Sequence, residues 1–186
     1  MMTSSRHSTE RKTCVVLIGL RGSGKSVVGS VLAELLGGAW VDTDDLVVED
    51  GGMSIAALFE TEGEVGFRKR ESQAVARAVA QRPAVISVGG GAVLEAKNVA
   101  LLKGVGKIVW LTAPPEVLVS RMLADEGKPE SRPRLTGLDD REEMRLLSAQ
   151  RRASYETAAD LIVDTCARTP EEIAKVIVDR LGREKS

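Results

Sequence analysis

Apolar residues along this chain follow two alternating patterns. Short, nearly continuous apolar runs rich in Val and Ile are separated by longer stretches in which apolar residues recur every three or four positions. The first pattern is typical of strands buried on both faces of a sheet, and the second is typical of helices that pack one face against it. The apolar runs predict strands at Thr13–Ile18, Ala39–Asp42, Ala84–Val88, Lys107–Leu111 and Asp160–Asp164.

The helical pattern predicts helices at Lys25–Leu36, Ile55–Ala80, Glu95–Leu102, Pro115–Ala124, Asp139–Thr157 and Pro170–Leu181. Ser54 and Thr169 directly precede two of these helices and are residues that favour the N-cap position. Strands that alternate with helices predict an α/β, three-layer sandwich with a five-stranded, mostly parallel sheet in the middle. We expect one domain over residues 13–186, preceded by a disordered tail over residues 1–12.

Residues 125–138 interrupt the alternation. Their sequence, DEGKPESRPRLTGL, is polar, contains two prolines and two glycines, and has no apolar period. A long loop of this kind in a compact domain is usually functional or disordered. We interpret it as a mobile lid over an active site, in preference to a passive surface loop.

Composition narrows the class of function. With 26 basic and 27 acidic residues, the chain lacks the basic excess of a nucleic-acid-binding protein. Its longest apolar runs are too short to cross a bilayer. Cys14 and Cys166 lie in or beside separate apolar segments, so we expect two free thiols and a cytoplasmic protein. The single histidine, His7, lies in the tail, so we expect neither histidine catalysis nor a histidine metal site.

Residues 19–26, GLRGSGKS, match the phosphate-loop pattern G-x-x-x-x-G-K-[ST]. Its glycines let backbone N–H groups converge on phosphate oxygens, Lys25 can reach the β- and γ-phosphates, and the Ser26 hydroxyl can bind Mg²⁺. The helix predicted to begin at Lys25 adds the positive end of its dipole. We predict nucleotide contacts at Gly22, Ser23, Gly24, Lys25, Ser26 and Val27. No N-K-x-D guanine-binding motif is present, so a GTPase is not supported.

The acidic run Asp42-Thr43-Asp44-Asp45 ends the second predicted strand. Ligands of parallel sheets lie outside the carboxyl ends of the strands, so these side chains should face the phosphate loop. One carboxylate near Mg²⁺ and another near an acceptor hydroxyl would suit phosphoryl transfer. The alternative is an acidic helix N-terminus whose side chains bind backbone N–H groups.

Glycines and arginines predict the acceptor side of the site. Gly89-Gly90-Gly91 follows the strand AVISV directly and permits close approach of a ligand to the backbone. Arginines that should converge at the same end of the sheet are Arg68, Arg121, Arg132 and Arg151. Arginine binds carboxylate and phosphate in a bidentate manner, so this set suits a substrate that carries both kinds of charge.

Together these motifs resemble the shikimate kinase family, from about residue 13 to residue 181. The resemblance is carried by GLRGSGKS, the DTD at Asp42–Asp44, the FR pair at Phe67–Arg68 within GE-x-x-FR-x-x-E, the VGGGAV run, the RP pair at Arg132–Pro133 and the R-x-x-x-Y at Arg151–Tyr155. It implies a P-loop fold like that of nucleoside monophosphate kinases, a mobile lid, and transfer of the γ-phosphate of ATP to the 3-hydroxyl of shikimate. We expect the protein to be a monomer.

The resemblance also implies residue roles on the acceptor side. Asp44 would bind the shikimate hydroxyls and act as the base, with Lys25 as a second catalytic residue. Arg68 and Arg151 would hold the shikimate carboxylate, helped by the backbone amides of Gly89, Gly90 and Gly91.

On the nucleotide side, the resemblance implies that Asp42 holds Mg²⁺ together with Ser26. Arg132 would move in with the lid to neutralise charge on the transferred phosphate, and Arg121 and Arg168 would flank adenine. The lid departs from many family members in having Arg134 after Pro133, which we interpret as a solvent-facing charge rather than a second phosphate contact.

Two other functions remain open from the sequence. A kinase for another small hydroxy acid, such as gluconate, would share the phosphate loop, the size and the lid. A nucleotide-binding module without acceptor chemistry would share the loop, but it would need neither Asp44 nor the arginine set.

Overall fold

The computed structural model describes residues 14–124 and 139–183. Within them, parallel strands form one five-stranded sheet in the order β2-β3-β1-β4-β5. The strands are β1 (Cys14–Ile18), β2 (Trp40–Asp42), β3 (Val85–Ser87), β4 (Gly106–Thr112) and β5 (Leu161–Asp164). The helices are α1 (Lys25–Leu36), α2 (Thr43–Gly51), α3 (Ile55–Gln81), α4 (Ala96–Val105), α5 (Pro115–Ala124), α6 (Asp140–Ala158) and α7 (Pro170–Arg183), with a short 3-10 helix at Ala92–Leu94.

Helices cover both faces of the sheet, which confirms the predicted three-layer α/β architecture. Alternate side chains of β1 point to opposite faces: Val15 and Leu17 pack with α1 and α7, whereas Val16 and Ile18 pack with α3 to α6. All five residues of β1 are buried, as expected for the central strand of a parallel sheet. The phosphate loop therefore begins at the end of a central strand that is buried along its whole length.

Both predicted helix caps are present. Ser54 Oγ accepts a hydrogen bond from the Ala57 N–H at 3.2 Å at the start of α3. Before α7, Thr169 Oγ1 accepts from the Glu172 N–H at 3.3 Å, while the Glu172 carboxylate accepts from the Thr169 N–H at 2.9 Å. This reciprocal pair is a capping box, which fixes the loop between β5 and α7.

Two helical features differ from the sequence prediction. The acidic run at Asp42 begins a helix, α2, that is missing from the predicted helices, although a helix N-terminus was the alternative left open for this run. Asp42 is its N-cap, and the helix ends before Gly52, whose φ is 64°. The predicted helix Ile55–Ala80 is interrupted at Gly63, which has φ 66° and ψ −175°. A residue without Cβ adopts this conformation at little cost, and periodicity alone does not register it.

The predicted tail at residues 1–12 and the predicted lid at residues 125–138, including Arg132 and Arg134, lie outside the described residues. Of the helices that are described, none combines the length and the hydropathy needed to cross a lipid bilayer.

Candidate active site

The phosphate loop connects β1 to α1 and wraps closely against α5. Gly22 has φ of 74°, and a Cβ at this position would overlap the carbonyl group of Leu118. The Lys25 ammonium reaches back across the loop and donates to the carbonyl oxygens of Gly19 at 2.9 Å and Leu20 at 3.1 Å. Loop backbone and lysine thus form a compact cradle at the carboxyl end of β1, as phosphate binding requires.

A hydroxyl group and a carboxylate meet beside this loop. Ser26 Oγ, in the first turn of α1, donates to Asp42 Oδ2 at 3.0 Å, and Asp42 Oδ1 accepts from the Asp44 N–H at 3.0 Å. Burial and the charge of Asp44 raise the pKa of Asp42 to about 6. Both groups are hard oxygen ligands, and Mg²⁺ usually takes only one or two protein carboxylates besides water and phosphate. The pair therefore fits the predicted magnesium site.

The glycine loop (Gly89–Gly91) lies between the phosphate loop and two arginines. A Cβ on Gly90 would be 3.3 Å from the first carbonyl oxygen of the phosphate loop and 3.4 Å from Arg151 Nη1. A Cβ on Gly91 would overlap the guanidinium of Arg68. The missing side chains thus let an arginine from α3 and another from α6 approach the same short piece of backbone.

The Arg68 guanidinium is held by carboxylates on its own helix. Its Nη1 donates to Glu71 at 2.7 Å and its Nη2 donates to Glu64 at 3.3 Å. The Glu71 side chain is only 1% exposed, against 17% for Arg68. Burial alone would lower the pKa of Arg68, but these two carboxylates raise it, so the guanidinium stays charged.

Glu71 is the last residue of the GE-x-x-FR-x-x-E motif, but the sequence alone assigned it no role. The spacing of the two residues indicates an ion pair, because an acid three residues after an arginine on one helix lies within reach of it. The sequence does not reveal that this acid is buried, which is what makes the ion pair matter.

A third arginine connects the phosphate loop to the segment after β5. Arg121 Nη1 donates to the Gly22 carbonyl at 3.3 Å and to Thr165 Oγ1 at 2.9 Å, and its Nη2 donates to the Thr165 carbonyl at 2.8 Å. Arg168 lies in the same segment, is exposed, and donates to the Asp164 carbonyl at 2.8 Å. The two arginines predicted to flank adenine therefore lie beside one loop.

The remaining predicted residues lie close to these groups. Ser23 is buried in the phosphate loop, Gly24 is the N-cap of α1, and Val27 is 57% exposed in its first turn. Asp44 is partly buried in the first turn of α2, bound through its N–H to Asp42. Arg132 is outside the described residues. Apart from Arg132, the predicted site residues are thus brought to the carboxyl edge of the sheet.

An all-parallel sheet with a phosphate loop after its central strand, and an oxygen-ligand pair beside that loop, defines a P-loop kinase of the nucleoside-monophosphate-kinase type. The model of the shikimate kinase family matches residues 21–182. The shikimate kinase of Symbiobacterium thermophilum is 44% identical over 167 residues, which are 90% of this chain and 95% of that protein. The chain belongs to the shikimate kinase family.

Solved structures agree with this assignment. The shikimate kinase of Acinetobacter baumannii, in complex with shikimate, superposes with a TM-score of 0.84 at 33% identity, covering 93% of this chain and 94% of that one. The shikimate kinase of Aquifex aeolicus gives a TM-score of 0.76 at 33% identity, covering 92% and 97%.

Proposed function

We propose that this protein transfers the γ-phosphate of ATP to the 3-hydroxyl of shikimate, giving shikimate 3-phosphate and ADP. One observation carries the proposal: the phosphate loop, the acids at Asp42 and Asp44, and the arginines at the glycine loop share one edge of the sheet. A ligand with phosphates and a ligand with a carboxylate can therefore be held side by side, which is the main requirement of phosphoryl transfer.

The buried state of Arg151 supports an anionic acceptor. Arg151 is only 7% exposed. Within residues 14–124 and 139–183, its guanidinium has no hydrogen bond or ion pair. A buried guanidinium with no such partner among these residues suits a bound anion, which would neutralise its charge. Together with Arg68, it would bind the carboxylate of shikimate in a bidentate manner.

Asp44 would accept the proton of the attacking hydroxyl, since its N–H binds Asp42 of the magnesium pair and it directly follows Thr43, whose hydroxyl binds the glycine loop. Lys25 and the loop amides would stabilise the β- and γ-phosphates, and Arg132 would approach them from the lid. Mg²⁺ held by Ser26 and Asp42 would neutralise part of the phosphate charge. Arg121 and Arg168 would bind the adenosine side of ATP.

A coupled assay of ADP release with a panel of acceptors tests the proposal. Shikimate should be turned over readily, whereas gluconate should not. Turnover of gluconate without turnover of shikimate would identify a different small-acid kinase. Calorimetry that detects ATP binding but no binding of any small acid would identify a nucleotide-binding module. The same assay tests the role of Arg68 in binding the acceptor: Arg68→Ala should raise the KM for shikimate and change the KM for ATP much less.

We further infer a cytoplasmic monomer that has no nucleic-acid partner. Three observations support this: Cys14 and Cys166 are both free, acidic and basic residues are nearly balanced, and one chain supplies every proposed site residue. Light scattering should give the mass of one chain with or without ATP, and a species of twice that mass would contradict the inference.

A further inference from the structure

Most backbone groups of the glycine loop already have partners. The Gly89 N–H donates to Thr43 Oγ1 at 3.1 Å, and Tyr155 Oη donates to the Gly90 carbonyl at 2.6 Å. The carbonyls of Gly89 and Gly91 accept from the following 3-10 helix, each at 3.0 Å. Among the described residues, the backbone donors of this loop that have no partner are the N–H groups of Gly90 and Gly91. The Gly89 amide, predicted above to help hold the acceptor, is bound to Thr43 instead.

Thr43 fixes one side of the loop. It is fully buried, at 0% exposure, and it lies between Asp42 and Asp44 at the start of α2. Its hydroxyl therefore joins the acidic segment to the glycine loop directly. Because no solvent reaches this position, water cannot replace the hydroxyl when it is removed, and the Gly89 N–H would stay unsatisfied.

Tyr155 fixes the other side. It is 1% exposed, lies one helical turn after Arg151 on α6, and stacks on Trp110 with ring centroids 5.4 Å apart. Residues four apart share a helix face, and α6 therefore presents both the guanidinium of Arg151 and this hydroxyl group to Gly90. The tyrosine ring anchors the hydroxyl in the core, so the position of the loop is tied to that of α6.

We propose that Thr43 and Tyr155 are positioning residues for the acceptor. They hold the glycine loop between the acidic segment and α6, so that the Gly90 and Gly91 N–H groups remain free to bind the acceptor at a fixed distance from Asp44. This inference rests on the proposed function, because it takes the acceptor to be a small carboxylic acid bound at this loop.

Steady-state kinetics of Thr43→Val and Tyr155→Phe test the proposal, because each substitution removes a hydroxyl and keeps most of the side-chain volume. Each should raise the KM for shikimate about tenfold, as expected when one buried hydrogen bond is lost and its partner is left unsatisfied. The KM for ATP should stay within about twofold, since the phosphate loop keeps its own contacts. Thr43→Ser retains the hydroxyl and should restore the wild-type KM for shikimate.

Thr165→Val provides a matched contrast on the nucleotide side. Thr165 is also a buried threonine, 1% exposed, but its Oγ1 accepts from Arg121. Its substitution should raise the KM for ATP and leave the KM for shikimate nearly unchanged. Equal increases of both KM values in Thr43→Val and Tyr155→Phe, or a lower Tm with unchanged KM values, would overturn the proposal by reducing both residues to a structural role.

Amide hydrogen exchange gives a readout that needs no substrate. In Thr43→Val the Gly89 N–H should exchange at least about tenfold faster than in the wild type, because its acceptor is gone. Unchanged exchange in this variant would overturn the inference even if the wild type were inactive. A wild type that exchanges as expected but does not phosphorylate shikimate would refute the proposed function instead.

Discussion

Removal of Arg68 should destabilise the protein as well as weaken acceptor binding. The Arg68→Met substitution keeps the aliphatic stem but removes the guanidinium that pairs with Glu71 at 2.7 Å. The Glu71 side chain is 1% exposed, so its carboxylate would be left buried without its main cationic partner. Loss of the partner of a buried charge is among the more destabilising effects of a single substitution.

The structure sets the size of this effect. Loss of one partner of a buried ion pair costs about 3–5 kcal/mol. We expect the lower end, about 3 kcal/mol, because Arg68 is itself 17% exposed and water can enter where the guanidinium was. For a chain of 186 residues, this corresponds to a decrease in Tm of about 6–12 °C.

A double-mutant cycle separates the structural role of Arg68 from its binding role. Thermal unfolding of Arg68→Met, Glu71→Leu and the double variant should show that the double variant regains most of the stability lost in Arg68→Met. Its KM for shikimate should stay as high as that of Arg68→Met, because the carboxylate-binding group is absent from both. If Arg68→Met unfolds at the wild-type Tm, the ion pair contributes nothing and the reasoning is refuted.

Three further substitutions test other parts of the site. Asp44→Asn should lower kcat at least about a hundredfold with nearly unchanged ATP affinity, if Asp44 is the base; retained activity in a coupled assay would remove that role. Gly91→Ala should raise the KM for shikimate about tenfold, because the new methyl group displaces the Arg68 guanidinium; an unchanged KM would show that the arginine simply moves aside. Burial raises the pKa of Asp42 above its unfolded value to about 6, so the folded state favours the protonated carboxyl group. The stability that Asp42 contributes is therefore fully present below about pH 4 and is lost as the pH rises through 6, where the buried group ionises. Asp42→Asn, without ligands, should therefore be more stable than the wild type by about 3 kcal/mol at pH 7.5 and by much less at pH 4. An equal difference at both pH values in thermal unfolding would contradict the cause assigned to the pKa.

The predicted bounds of helices and strands were most accurate where the apolar residues of a segment follow a clear helical or strand pattern. The predicted bounds of α1 and α5 coincide with the observed ones, and β1 begins and ends within one residue of its prediction. The unpredicted helix α2 has only nine residues, and its apolar residues, Leu46, Val47 and Val48, are consecutive rather than spaced at the helical period. Too few apolar positions remain in so short a segment to give a clear period, although the capping role that we left open for the acidic run is what Asp42 performs.

The sequence by itself determined the phosphate loop, the alternation of strands and helices, and the family, because each depends on short local patterns or on the order of such patterns along the chain. The family resemblance already assigned Arg68 and Arg151 to the acceptor and Arg121 to the nucleotide, but only the tertiary structure decided their partners. Arg68 is held by Glu71 and Glu64, whereas Arg121 binds Gly22 and Thr165. The order of the strands was likewise decided by how the helical connections pack. The physical reason is that burial and hydrogen-bond partners depend on segments far apart in the chain: Gly89 is bound by Thr43, 46 residues earlier, and Gly90 by Tyr155, 65 residues later.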